Sequence, residues 1–245
     1  MKKGPKQKIF VGDVFTTTNY DSCTVESYEG IYNILVRFTD GTLVKTESSA
    51  LMKGCVRNPN HPTICGLGYS GVGEYSSKTH PKIYQTWRSM FFRCYESLEH
   101  NPTYEECYVS ITWYNFQNFA DWFIKNSVES WELDKDILVK SNKEYGPDTC
   151  CFVPKELNNI FRDKRKSGSS LPAGVSKLPS GNYQSHSSLG GQKVYLGSFN
   201  TVEGAKKAQQ DFVRTKVCKL LDKYFEKMSP KLRNSLYYFI YDDGE

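Results

Sequence analysis

The spacing of apolar positions changes character along the chain. From residue 8 to about 56, short runs such as Asp13–Thr18, Thr24–Tyr28 and Tyr32–Phe38 alternate or carry β-branched residues, the period-2 signature of half-buried strands. Asp40-Gly41 between Phe38 and Leu43 marks a tight hairpin, because both central positions of such a turn need positive φ. Four short strands within roughly 45 residues predict a small barrel-like or curled sheet. Over residues 57–82 the pattern breaks. Asn58-Pro59-Asn60-His61-Pro62 cannot be helix interior, and Gly66, Gly68, Gly71 and Gly73 then interleave with Tyr69 and Tyr75. This glycine run has a superficial look of a phosphate loop. It lacks the following Gly-Lys-Ser/Thr and the strand–loop–helix frame, so it is not read as a nucleotide site.

From residue 83 to 126 the period becomes helical. Ile83, Trp87, Met90, Phe91 and Cys94 form one stripe, and after a break at Pro102 the residues Trp113, Phe116, Phe119, Ala120 and Phe123 form another. These aromatics read as core. Arg88 and Arg93 lie off the stripe and face either solvent or a phosphate. Trp131–Ile137 then predicts a strand ending in acidic residues. A loop with Ser141, Asn142 and Gly146-Pro147 follows, then a short strand Cys150–Val153 and a helix opened by Pro154 that carries Glu156, Asn158 and Asn159.

Past the linker Gly168-Ser169-Ser170-Leu171-Pro172, three strands are expected: Ala173–Ser176, Asn182–Leu189 and Lys193–Phe199. Ser180-Gly181 and Gly190-Gly191 form the turns between them. Asn200 is the expected N-cap of a helix running from Thr201 towards Phe225, with Glu203 closing a capping box. Ala205, Ala208, Phe212, Val217 and Leu220 would lie over the sheet. The tail from Ser229 holds a short helix with Tyr237, Tyr238 and Tyr241, then the acidic tip Asp242, Asp243 and Glu245. The expected class is α+β in four parts. These are a small β domain at 1–60, a central helical and strand–loop–strand–helix domain at 61–166, a three-stranded sheet packed on one helix at 173–228, and the tail 229–245.

Composition sharpens this picture in three ways. Aromatics reach 14% of the 245 residues, enough for ordinary cores. No stretch approaches the ~20 apolar residues of a membrane span, and Met1–Lys8 lacks the apolar run of a signal peptide, so a cytoplasmic protein with no membrane partner is expected. The eight cysteines then read as reduced and mostly buried thiols; no Cys-x-x-Cys pair occurs, and a structural zinc on scattered cysteines is the lesser alternative. Net charge is +5, but Lys166–Lys227 holds ten basic and four acidic residues, so the remaining chain is slightly negative. A localised positive segment is what a polyanion binder needs, because counterion release drives much of duplex affinity.

Two resemblances follow from named residues. Leu133-Asp134-Lys135-Asp136, the strand Cys151-Phe152-Val153-Pro154 and Asn158 resemble the ββα-metal motif of HNH nucleases, in which a hairpin and a helix grip one divalent ion. A wider block resembles a domain recurrent in bacteriophage-encoded HNH or homing-type endonucleases. It adds Gly66-Leu67-Gly68-Tyr69, Tyr84-x-x-Trp87-x-x-Met90-x-x-Arg93-Cys94-Tyr95 and Trp113-x-x-Phe116. That resemblance implies Mg²⁺ or Mn²⁺ held by Asp134, Asp136, Asn158 and Asn159, with Lys135, Asp134 and Asn158 in the catalytic positions. Lys135 stands where the family has its histidine base. It would act through a depressed pKa or by steadying phosphate charge, or else the hairpin is a retired one on a DNA-binding regulator or host-interaction protein.

The second resemblance rests on Gly174-Val175, Gly181-x-Tyr183, Leu196-Gly197-x-Phe199, Thr201-x-Glu203 and Ala205-x-x-Ala208. This pattern is similar to Apetala2-type DNA-binding domains, and it implies a sheet that lies in the major groove of double-stranded DNA. Strand alternation then makes Tyr183, Val194, Leu196 and Phe199 cover the helix. It makes Gln184, His186, Ser188, Lys193 and Tyr195 the readers, with Lys177 at the edge. The compartment so implied is a bacterial host cytoplasm. The N-terminal β domain is assigned no partner by its residues.

Overall fold

The computed structural model describes residues 8–18, 20–96, 99, 102–161, 171–189 and 191–241. The basic run Arg162–Lys166, the linker residues 168–170, His100, Gly190 and the acidic tip at 242–245 lie outside the described residues. The chain is mixed α and β, with several small sheets, and divides into two compact units, Met1–Phe123 and Ile124–Glu245. Among the described residues no helix is long and apolar enough to cross a membrane.

The first unit opens with an antiparallel meander of β1 (Val14–Phe15), β2 (Cys23–Tyr28), β3 (Ile34–Phe38) and β4 (Leu43–Thr46), in the order β1-β2-β3-β4. Alternation along β2 and β3 sends Cys23, Val25, Ile34, Val36 and Phe38 to one face. There they meet Leu51 of the short helix α1 (Ser48–Met52). The expected barrel does not close: β1 and β4 are the two ends of an open sheet, because a two-residue first strand is too short to reach around to β4. A hairpin forms at Asp40-Gly41, but only Gly41 takes positive φ (86°) and its N–H donates to the Phe38 carbonyl at 2.9 Å. The turn is therefore a three-residue loop closed by a left-handed glycine rather than a two-residue turn centred on Asp40-Gly41. Asp40 Oδ1 accepts the Thr42 N–H at 2.8 Å, and Asn58 Nδ2 donates to Asp40 Oδ2 at 2.9 Å, so the connector is tied to the sheet.

Helix α2 (Pro81–Phe91) and helix α3 (Phe116–Asn126) carry the predicted aromatic stripes, and the division between units falls within α3. Trp87, Phe91, Trp113, Phe116 and Phe119 are essentially fully buried, and Trp87 Nε1 donates to the Trp113 carbonyl at 2.7 Å, so its one polar atom is satisfied inside the core. These rings are core, as their spacing says. The α2 helix runs on into a π-helical turn, Phe92–Glu96, and a short strand β5 (Tyr108–Val109) precedes α3. The glycine run has a packing role. A side chain at Gly71 would stand 2.0 Å from Asn115 Oδ1, and one at Gly73 would stand 2.2 Å from Gln117 Oε1. Gln117, buried on α3, donates to the carbonyls of Ser70 and Tyr75 and accepts the Tyr75 N–H, so the loop wraps its amide.

The second unit begins with β6 (Glu132–Asp134) paired antiparallel to β8 (Cys151–Val153). A short strand β7 (Glu144–Tyr145) lies in the loop between them, and helix α4 (Lys155–Phe161) follows directly. Next come β9 (Val175–Lys177), β10 (Tyr183–Leu189) and β11 (Gln192–Phe199) in the order β11-β10-β9, backed by the long helix α5 (Val202–Tyr224). The N-cap is Thr201, whose Oγ1 accepts the Gly204 N–H at 3.1 Å. The expected Asn200 cap is displaced by one residue. Glu203 therefore becomes the second helical residue, too early to close a capping box. The tail is a full helix, α6 (Pro230–Tyr241), with Leu232 and Leu236 completely buried. One core joins Ile137, Cys151, Val153 and Leu157 of the hairpin and α4 to Val217, Leu221, Leu232 and Leu236 of α5 and α6.

Candidate nucleic-acid interface

Register decides which residues of the C-terminal sheet share a face, because directly opposed residues in antiparallel pairs point the same way. Val175 pairs with Ser185 and Tyr183 with Phe199, and Val175 and Ser185 are buried on the α5 side. The other face therefore carries Ser176, Gln184 and Ser198 in one row, His186 and Tyr195 in the next, and Ser188 and Lys193 in the third. All five residues named as readers of the sheet fall on it. Lys177 pairs with Tyr183 and belongs by register to the opposite face, with its side chain exposed on the edge strand.

The second and third rows stay aligned because β11 takes one extra residue. The register moves from Ser185–Gly197 to His186–Tyr195 and skips Leu196, so Leu196 is the bulged residue rather than a simple core position. Tyr195 is 59% exposed and Lys193 is exposed. His186 is half-buried with its ring centroid 5.5 Å from that of Tyr195. Both of its ring nitrogens are buried and without a hydrogen-bond partner among the described residues, so it offers no polar atom to a ligand in this conformation. Ser188 is exposed at its side chain, and its carbonyl accepts Lys216 Nζ from α5 at 2.7 Å, which ties the sheet to the helix. Ser176 and Ser198, not among the expected readers, join the face. Gln184 Nε2 donates to Ser176 Oγ at 2.9 Å. Period-2 counting back from Gln184 across a turn of known length would have found Ser176; Ser198 needed the bulge.

Among the described residues the face carries no Asp or Glu and one lysine, Lys193. Arg88 and Arg93, the other named DNA candidates, belong to the first unit. Arg88 is exposed with its guanidinium 4.4 Å from the Phe92 ring centre, and Arg93 is exposed on the π-helical turn.

The strand–loop–strand–helix segment has a different character, since its polar groups mostly bond one another. Asp134 Oδ1 accepts the backbone N–H groups of Asp136 (2.9 Å) and Ile137 (2.8 Å). Burial raises the Asp134 carboxyl above its ordinary value, opposed by those two bonds. Lys135 is buried, and its ammonium donates to Asp136 Oδ1 at 2.6 Å and to the Asn142 carbonyl at 2.8 Å. Asn142 returns the favour through its amide, donating to the carbonyls of Lys135 and Glu144. The loop is thus a closed network around one buried cation, the arrangement that makes a buried charge tolerable. On α4, Asn158 Nδ2 donates to Glu132 Oε2 at 2.9 Å, while Asn159 is exposed. Glu132 and Asp134 alternate onto one face of β6, so Glu132 is a carboxylate that sequence reasoning passed over.

Of the predicted donor set, Asp136 is paired to Lys135, Asp134 Oδ1 accepts two backbone N–H groups, Asn158 donates to Glu132, and Asn159 is exposed. Among the described residues no group of three or more His, Cys, Asp or Glu side chains is placed to hold a metal ion. Cys150 and Cys151 are adjacent buried thiols, and burial pushes Cys150 up to about 12. Compared with known proteins, the chain matches no family model, no curated protein and no solved structure.

Proposed function

We propose that this protein binds double-stranded DNA through the outward face of its C-terminal sheet, in the manner its resemblance to Apetala2-type domains implies. The observation that carries the reading is a sheet face with polar and aromatic side chains, a lysine and no carboxylate, left uncovered by the chain's own helix. β-Sheet readers lay strands in a groove of the duplex, and in the major groove amide, hydroxyl and ammonium groups reach base edges and phosphates. The test is a fluorescence-anisotropy titration of the whole chain with mixed-sequence duplex over a range of salt. Affinity should fall log-linearly as salt rises. No binding at low ionic strength, or binding indifferent to salt, would overturn the proposal.

A second reading, a phage-type endonuclease using Mg²⁺ or Mn²⁺, draws on one observation. The ββα order forms, with Glu132 and Asp134 on one face of β6 and Asn158 reaching Glu132 from α4. The engagement of Lys135 and Asp136 inside the loop favours a hairpin that braces the DNA-binding sheet. Supercoiled plasmid incubated with the protein and Mg²⁺ or Mn²⁺ separates the two: nicking that Asp134→Ala removes supports the enzyme, and binding without nicking supports the brace.

A further inference from the structure

Gln184 sits at the centre of the first outward row, between Ser176 on β9 and Ser198 on β11, directly opposite each. Its Nε2 gives one hydrogen to Ser176 Oγ at 2.9 Å. That bond fixes the plane of the amide. The second N–H and the carbonyl oxygen Oε1 have no partner among the described residues. The side chain therefore offers one donor and one acceptor, side by side, on a half-buried stem whose rotation is already restricted.

That pair has one good complement in a major groove. Adenine presents an acceptor (N7) beside a donor (the N6 amino group). Guanine presents two acceptors, cytosine a lone donor, and thymine an acceptor and a methyl. Resting on the proposal that this face docks on a duplex, we infer that Gln184 is the specificity-determining residue of the sheet and reads adenine, with Ser176 as the residue that positions it. The face supports the assignment by what it lacks. It carries no arginine, the usual reader of guanine, and its one cation among the described residues is Lys193, two rows away. Pre-orientation by Ser176 also lowers the conformational entropy lost when the amide engages a base.

The experiment starts from selection of preferred sites out of random duplexes by the full-length protein. The selected sequence should contain an A·T pair whose replacement by 7-deaza-adenine, which removes only the N7 acceptor, weakens binding by about 5- to 150-fold. Gln184→Ala should bind the parent duplex more weakly by a similar factor and be indifferent to the 7-deaza change. Gln184→Glu, which keeps acceptors and loses the donor, should shift the preference at that pair towards cytosine. Ser176→Ala, which removes the acceptor that orients the amide, should reduce the discrimination at that pair. Wild-type selectivity retained by a folded Gln184→Ala protein would overturn the inference while leaving DNA binding intact. A folded wild type that binds no duplex would remove both.

Discussion

Two parts of the second unit, built from similar residue types, treat their polar groups in opposite ways. In the β6–β8 hairpin the charged and amide side chains of Asp134, Lys135, Asp136 and Asn142 bond one another or the local backbone. On the outward face of β9–β11, Gln184 keeps a donor and an acceptor uncommitted, Lys193 is exposed, and Tyr195 stands more than half in solvent. The hairpin has the more suggestive motif, and the sheet has the uncommitted groups that the proposed interface needs. Recognition requires groups whose partners are supplied from outside, because a donor already satisfied inside the protein gains little by exchanging partners.

The comparison can be tested most severely through the core that both parts share. Leu236→Ala empties a fully buried site on α6 and should cost about 2–5 kcal/mol. Urea melts followed by probes in the hairpin and in the sheet should shift together. Separate transitions would show that the hairpin does not brace the sheet. Next in size is Lys135→Met, which deprives the Asn142 carbonyl and Asp136 of their buried donor and should cost about 1–3 kcal/mol. At a temperature where that variant is folded, its duplex affinity and salt dependence should equal those of the wild type; a lowered salt slope would assign Lys135 a phosphate contact after all. Thr201→Ala removes the cap of α5 and should lower stability by about 1 kcal/mol, with the wild-type DNA preference kept.

Lys193→Ala makes the reverse case. Its melt should be unchanged, while the slope of log affinity against log salt falls by about one. The smallest effect belongs to Asp134→Asn, which keeps an oxygen for the Asp136 and Ile137 N–H groups. Burial raises the folded-state pKa of Asp134 above the ordinary 3.8. The stability this group contributes is therefore fully present below that value and is lost as pH rises through the raised one. The asparagine variant should gain on the wild type as pH climbs from acid towards neutral and then hold level. A loss over the same range would mean that the two backbone bonds outweigh burial.

Much of the local structure was legible from residues alone. Asp40-Gly41 can only turn, the Ile83–Cys94 and Trp113–Phe123 stripes repeat at helical spacing, and the 183–199 hairpin alternates in period 2. Backbone sterics and side-chain burial act over a few residues there, so the sequence determined those elements and the outward set Gln184, His186, Ser188, Lys193 and Tyr195. Long-range packing decided the rest. Whether the N-terminal strands close depends on how far β1 reaches, and the Leu196 bulge that carries Ser198 to the outward face depends on pairing with β10. The inward commitment of Lys135 depends on an Asn142 carbonyl seven residues away, and the burial of α6 on apolar side chains from the hairpin, α4 and α5. Partners distant along the chain compete for each donor and each apolar face, and only the folded chain shows which partner won.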